Sequence, residues 1–201
     1  MNEILTHFSE RSELPKIHSI NRGDHYASVN AVELSNVMAE LGISDETIEQ
    51  TTVIVDGKSR LGIKGYAMAG SRLAIARRRF PEHADVINGP VVRLSTTMRG
   101  KPRPPGAINK TLVHEAEHIA QFERQDPNVT FGRIAIYGCL IAGAAAGNLL
   151  TRHQNPFIRA AATFGGAVIG KEIGYRTAPS ENQARRRSEQ VVTTTVTMHS
   201  Q

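Results

Sequence analysis

The segment TLVHEAEHIAQFERQ, residues 111–125, places two histidines four residues apart, with a glutamate directly after the first. Residues i and i+4 lie on one face of an α-helix, so His114 and His118 can present two imidazole nitrogens to one metal ion. Glu115 stands one position further round the helix. Zinc lowers the pKa of a bound water toward neutrality, and Glu115 can take its proton and deliver it to a leaving amine. The pattern predicts a catalytic zinc site with one ion per chain.

The neighbouring residues favour a metal site over a polar stripe on an exposed helix. Histidines on a buried helix need partners, and a metal ion is one of them. The residues that would bury this helix are apolar and surround much of its circumference: Leu112, Val113, Ala116, Ile119, Ala120 and Phe122. The alternative is an ordinary helix face with two solvated histidines.

A third ligand has to come from further along the chain. The candidates are the downstream acids and one histidine, namely Asp126, His153, Glu172, Glu181 and Glu189. Glu181 is favoured because it opens a helix after Pro179, and Ala184 on the same face would let that helix pack closely against the histidine helix. The alternative role for Glu181 is that of a first-turn acid stabilised by the helix dipole.

The two segments together resemble a known family. HEAEH at 114–118 followed by PSENQA at 179–184 is similar to the gluzincin branch of zinc metallopeptidases, which carries H-E-x-x-H on one helix and E-x-x-A on a later one. The metzincin extension is absent, since Gln121 and Arg124 occupy its positions. The resemblance implies a zincin-like fold with His114, His118 and Glu181 as zinc ligands and Glu115 as general base.

The resemblance also implies that an upstream strand borders the cleft and pairs with an extended substrate. SRLAIAR at 71–77 and VVRLST at 91–96 are the two candidates for this strand. One departure from the family pattern is Glu117, which stands where a small or apolar residue is more usual.

A hydrophobic segment separates the two motifs. Residues 134–150 carry no charge, a polar break follows at 151–156, and a second apolar segment spans 157–175. Gly143 and Gly147 are four residues apart, as are Gly166, Gly170 and Gly174, which aligns small residues on one helix face. We predict a Gly/Ala-rich helical hairpin inserted over 132–175. Membrane-embedded prenyl-protein peptidases also place paired hydrophobic helices between these motifs. Both membrane association through 134–170 and packing against protein remain open.

The remaining pattern predicts an α+β fold: a small β-sheet with the active-site helices. A helix begins at Ser28 and ends before Gly42, short strands follow at 51–55, 61–70, 71–77 and 89–96, and Asn109 caps the histidine helix. We predict a loosely held polar arm over 1–26, the metallopeptidase domain over 27–188 and a flexible tail over 189–201.

The composition bears on the expected partners and the expected cellular location of the protein. The net charge of +5, from 24 basic and 19 acidic residues, is mild, and no basic patch is interleaved with aromatics, so we expect no nucleic-acid partner. The single Cys139 excludes an internal disulfide. The N-terminal residues are too polar for a signal peptide. We therefore expect a cytoplasmic protein, or a membrane-associated one facing the cytoplasm.

These observations predict a zinc-dependent metallopeptidase acting on a peptide or protein. Tyr175, or an arginine among residues 185–187, is a candidate for stabilising the oxyanion, although Tyr175 is favoured as a packing aromatic. The alternative function is a non-catalytic membrane-associated or interaction protein, with the glycine-rich hairpin and a structural zinc or none. A fourth protein ligand from His153 or Glu117 would favour that alternative, because structural zinc has four protein ligands.

Overall fold

The computed structural model describes residues 14–20, 25–57, 64–98, 100–190 and 196–200. The chain forms two compact units. The first comprises Met1–Ala120 and Arg187–Gln201, and the second Gln121–Arg186. Two helices continue from one unit into the other, and they are the helices that carry the HEAEH and PSENQA segments.

Helices and strands alternate in the first half of the chain, and long helices dominate the second. The elements are β1 (Lys16–Ile20), β2 (His25–Val29), α1 (Ala31–Glu40), α2 (Asp45–Gln50), β3 (Thr52–Asp56), β4 (Gly65–Met68), α3 (Leu73–Arg79), β5 (Val91–Ser95), β6 (Thr97–Met98), β7 (Lys101–Pro102), α4 (Pro105–Glu123), α5 (Pro127–Leu150), α6 (Pro156–Thr177), α7 (Pro179–Gln190) and β8 (Val196–Ser200). The mixture agrees with the predicted α+β class.

A mixed sheet forms the centre of the first unit, with strand order β1-β3-β5-β4 among the described residues. β1, β3 and β5 are parallel, whereas β4 runs antiparallel along β5 and forms one edge. Every residue of β3 and β5 is buried, as expected for central strands covered on both faces. The strands predicted at 51–55 and 89–96 are confirmed as β3 and β5.

Helices cover the two faces of this sheet with separate apolar clusters. On one face, Val53 and Val55 pack with residues of α1 and α4. On the other face, Ile54 packs with Ala76 of α3 and with the following Phe80. This alternation along β3 reflects the two-residue period of a strand and places α4 directly against the sheet.

The helix predicted from Ser28 begins at Ala31, because Ser28 belongs to β2 and the Asn30 side chain caps the helix. The predicted end is confirmed: Gly42 adopts a φ of 78° directly after the helix, a conformation that glycine tolerates. Ser44 accepts a hydrogen bond from the Thr47 amide and caps α2, which begins at Asp45.

Three predictions for this unit were wrong. The predicted strand at 71–77 is a 3₁₀ turn followed by α3, because Leu73, Ala76 and Phe80 contact the core at helical spacing. Part of the predicted arm forms β1 in the central sheet, and part of the predicted tail forms β8, which pairs with β2. Long-range pairing holds these polar segments, and a local pattern does not reveal it. Residues 1–13, 21–24, 191–195 and 201 of these two segments lie outside the described residues.

The second unit contains the predicted helical hairpin. α5 and α6 pack along their lengths through small residues. A Cβ on Gly143 would meet the carbonyl oxygen of Gly166, and a Cβ on Gly147 would meet that of Ala162. The hairpin starts earlier than the predicted residue 132 because Pro127 opens α5 behind the capping side chain of Asp126, and it ends later than residue 175, at Thr177. Pro156 opens α6 behind Asn155.

Candidate metal centre

The histidine helix α4 begins four residues before the predicted cap, Asn109. The amides of Ala107 and Ile108 donate to the Pro104 carbonyl, and Pro105 occupies the first helical position. Proline is favoured there because its missing N–H would have no partner within the helix. Asn109 is instead a buried residue inside the helix, so the cap prediction was wrong.

α4 brings the two histidines together as predicted. The rings of His114 and His118 meet edge to face, with centroids 4.8 Å apart. The expected apolar surroundings are confirmed for five of the six residues, since Leu112, Val113, Ala116, Ile119 and Ala120 are buried, whereas Phe122 is half-buried. Glu115 and Glu117 are also buried, with exposed fractions of 6% and 1%. Carboxylates are rarely buried without compensating charge or hydrogen bonds, and this stretch of α4 holds two of them beside the two imidazoles.

Arg103 fixes the start of α4 against the sheet. Its guanidinium is buried and donates to the carbonyl oxygens of Lys64, Ser95 and Ala107 and to the Thr111 hydroxyl. Burial lowers the pKa of Arg103, although an arginine stays charged at any ordinary pH. No motif in the sequence points to Arg103. An arginine in a proline-rich loop just before a helix is the only signal that the sequence offers.

The edge strand β4 crosses α4 next to Glu115. A Cβ on Gly65 would lie 2.7 Å from Cγ2 of Thr111 and 3.4 Å from Cγ of Glu115, so only glycine allows this close approach. Neither predicted edge strand has this position. Residues 71–77 are mostly helical, and β5, which contains residues 91–95, lies inside the sheet between β3 and β4.

Glu181 lies in the first turn of α7, as predicted, with an exposed fraction of 9%. Ala184, one turn later, is fully buried. The Gln121 amide donates to the Ser180 carbonyl at 3.1 Å and joins the last turn of α4 to the first turn of α7. Gly132 adds to this packing, because a Cβ there would lie 2.5 Å from Oγ of Ser180. In the sequence, Gln121 indicates only that the metzincin extension is absent, so its positioning role could not be predicted.

One ligand atom from each of His114, His118 and Glu181 lies within 4.8 Å of the other two. Tetrahedral zinc with bonds of about 2.0–2.2 Å requires ligand atoms about 3.4 Å apart. The largest separation in the cluster is thus wider than this spacing by about 1.4 Å. Two imidazoles and one carboxylate form a donor set typical of catalytic zinc, so the residues present fit the ion. The identity of the metal stays a prediction.

The other candidates for the third ligand have structural roles elsewhere. Each is engaged by a neighbour: Asp126 accepts from the Asn128 amide, His153 from Arg152, Glu172 from Arg176 and Glu189 from Lys110. His153 lies at the tip of the α5–α6 hairpin. Among these candidates, Glu181 alone joins the histidines in the three-residue cluster.

Tyr175 contacts one of the arginines considered with it. The guanidinium carbon of Arg185 lies 5.6 Å from the centre of the Tyr175 ring, a cation–π distance. This contact supports the packing role for Tyr175.

Comparison with protein-family models, with curated proteins and with solved structures finds no match to this chain.

Proposed function

We propose that this chain is a zinc-dependent peptidase with a zincin-like fold, in which His114, His118 and Glu181 bind one zinc ion. The observation that carries the proposal is the cluster of their three ligand atoms within 4.8 Å. Three protein ligands leave the fourth position of tetrahedral zinc open, which is the arrangement of a catalytic site rather than a structural one.

Glu115 is the proposed general base. When bound, zinc would lower the pKa of water toward neutrality and polarise a substrate carbonyl. Glu115 follows His114 directly on α4 and is buried. Its carboxylate would accept a proton from the attacking water and transfer it to the amine that leaves when the peptide bond breaks.

The edge strand β4 supports a peptide as the substrate. β4 pairs with β5 on one side, and within the described part of the chain no strand pairs with its other side. An extended peptide can add to such an edge through main-chain hydrogen bonds. The close approach of Gly65 to the Glu115 side chain would place that peptide next to the proposed base.

The proposal is tested by comparing peptide hydrolysis and zinc content in two glutamate variants on one helix. Glu115→Gln should lower kcat by about 10²–10⁴-fold, the usual contribution of a general base, while zinc content stays at the parent level. Glu123→Gln, two turns further along α4, is the matched control and should keep both zinc and activity.

Three outcomes would count against parts of the proposal. Full activity in Glu115→Gln would contradict the role of the base. Loss of zinc in that variant would show that Glu115 is a ligand or supports one. A parent protein that holds zinc but hydrolyses no peptide would favour the non-catalytic alternative.

A further inference from the structure

The α5–α6 hairpin exposes large apolar side chains along its whole length. They include Ile134, Ile141, Leu150, Phe157, Phe164 and Ile169. The two at the tip are the most exposed, Leu150 at 85% and Phe157 at 88%. Contiguous apolar surfaces of this kind are rare on proteins surrounded by water and mark an interaction surface.

The inside of the hairpin is built from small residues instead. A Cβ on Gly166 would meet the carbonyl oxygen of Gly143, and one on Gly170 would meet that of Cys139. The large apolar groups therefore point outward, while the backbones touch. Water would favour the reverse arrangement, because burying apolar side chains is the main stabilising effect there. In lipid no such effect operates between helices, and close backbone packing of small residues holds them together.

Three polar side chains near the tip of the hairpin find partners within it. Asn148 donates to the Thr163 hydroxyl at 3.3 Å, and Thr163 donates to the Arg159 carbonyl at 2.8 Å. Thr151 donates to the Gly147 carbonyl at 2.7 Å. Internal satisfaction of polar groups is what the interior of a bilayer requires.

Length and charge also match a bilayer with anionic headgroups. α5 has 24 residues, about 36 Å at 1.5 Å per residue, against about 30 Å for the hydrocarbon of a bilayer. Among the helices in the described part of the chain, α5 alone is long and apolar enough to cross a membrane by length and composition. Residues 127–177 contain five basic residues and one acid. Anionic phosphates would attract the basic residues at both ends of the hairpin. These are Arg152 and Arg159 near the tip, and Arg133, Lys171 and Arg176 toward the open end.

We propose that the α5–α6 hairpin inserts, tip first, into the hydrocarbon of a bilayer that contains anionic phospholipids. This insertion does not depend on zinc or on catalysis. Its failure is therefore distinguishable from a failure of the proposed peptidase function.

The test is flotation of the full-length protein with vesicles of phosphatidylcholine and phosphatidylglycerol after removal of detergent. We expect the parent protein to float with the vesicles. Replacing two exposed positions, in the double variant Ile141→Arg and Phe164→Arg, should lower vesicle partitioning by at least about a hundredfold, because arginine in hydrocarbon is strongly disfavoured. Ile75→Arg, at an exposed apolar position on α3, is the matched control and should float like the parent.

An environment-sensitive fluorophore gives a second readout that does not depend on the arginine variants. In a Cys139→Ala background, a fluorophore on Leu149→Cys should shift to the blue when vesicles are added, and lipid-borne quenchers should reach it. Any one of three results would overturn the proposal. They are an unshifted fluorophore, flotation of the double arginine variant at the parent level, and a parent that remains in the aqueous fraction. If the parent in that fraction is a stable dimer, a second copy of the chain covers the hairpin instead.

Discussion

At the scale of single residues, the proposed metal centre depends on neighbouring residues that hold the helices of its side chains in place. Arg103 positions the start of α4 through four hydrogen bonds, and Gln121 ties its end to Ser180. A ligand set has to be held closely to its productive geometry. These two residues supply that support without touching the proposed metal.

A second pair of histidines gives a prediction at the same scale. The rings of His18 and His83 lie 4.8 Å apart, and both Nε2 atoms are buried and make no hydrogen bond within the part of the chain that the structure describes. Burial lowers the pKa of His18, and His83 and Lys16 lower it further, while Asp85 acts in the opposite direction. Protonation of His18 is therefore less favourable in the folded state than in the unfolded chain.

From this difference we expect acid to destabilise the fold through His18. The unfolded state binds the extra proton once the pH falls below about 6.5, the ordinary pKa of histidine. The stability associated with neutral His18 is thus complete above that pH and is lost as the pH falls toward the lowered pKa. Urea unfolding of the parent and of His18→Gln at pH 7.5 and 5 measures this. The parent should lose more stability than the variant, and equal losses would show that His18 is not responsible.

At the scale of elements, alanine substitutions at two adjacent glycines of α6 distinguish the effect of backbone packing from that of helix propensity. A Cβ on Gly166 would collide with the Gly143 carbonyl, whereas one on Gly165 would meet nothing within 4 Å. Gly166→Ala should destabilise the hairpin by about 1–3 kcal/mol through overpacking. Gly165→Ala should be neutral, or stabilising by up to about 1 kcal/mol, because alanine is the better helix former.

Unfolding of the two alanine variants in a mild detergent, followed by circular dichroism, makes this comparison. The two substitutions add the same methyl group at neighbouring positions, so composition and propensity cancel. Equal stability of the two variants would mean that α5 and α6 do not pack through their glycines.

The elements that could be predicted are those whose pattern is local. The helical spacing of apolar residues in α4, the charge-free segment of α5 and the four-residue glycine spacing in both hairpin helices are visible in a short window. β1 and β8 could not be predicted from such a window. Their residues are polar or weakly patterned, and they are strands because distant strands pair with them. The strand prediction for 71–77 failed for a related reason, since a short apolar run fits both periods.

At the scale of the whole molecule, the histidines and Glu181 come from helices that are far apart in sequence. The HEAEH segment predicts its own geometry, because one helical turn fixes the spacing of its histidines. Glu181 could be selected among five candidates because it opens a helix that Ala184 lets pack closely, and the structure adds that the other four make hydrogen bonds to other residues. The close approach of β4 to Glu115 is possible because Gly65 has no side chain. No pattern in the sequence predicts this approach.

The most direct measurement of the central claim is zinc content per chain in the parent, in His118→Ala and in Glu181→Ala. Glu172→Ala is the matched control, because Glu172 is an exposed acid paired with Arg176. We predict one zinc ion in the parent and in the control, and strong loss of zinc in both ligand variants. A parent without zinc, or full zinc content in Glu181→Ala, would contradict the proposed site of two histidines and one glutamate.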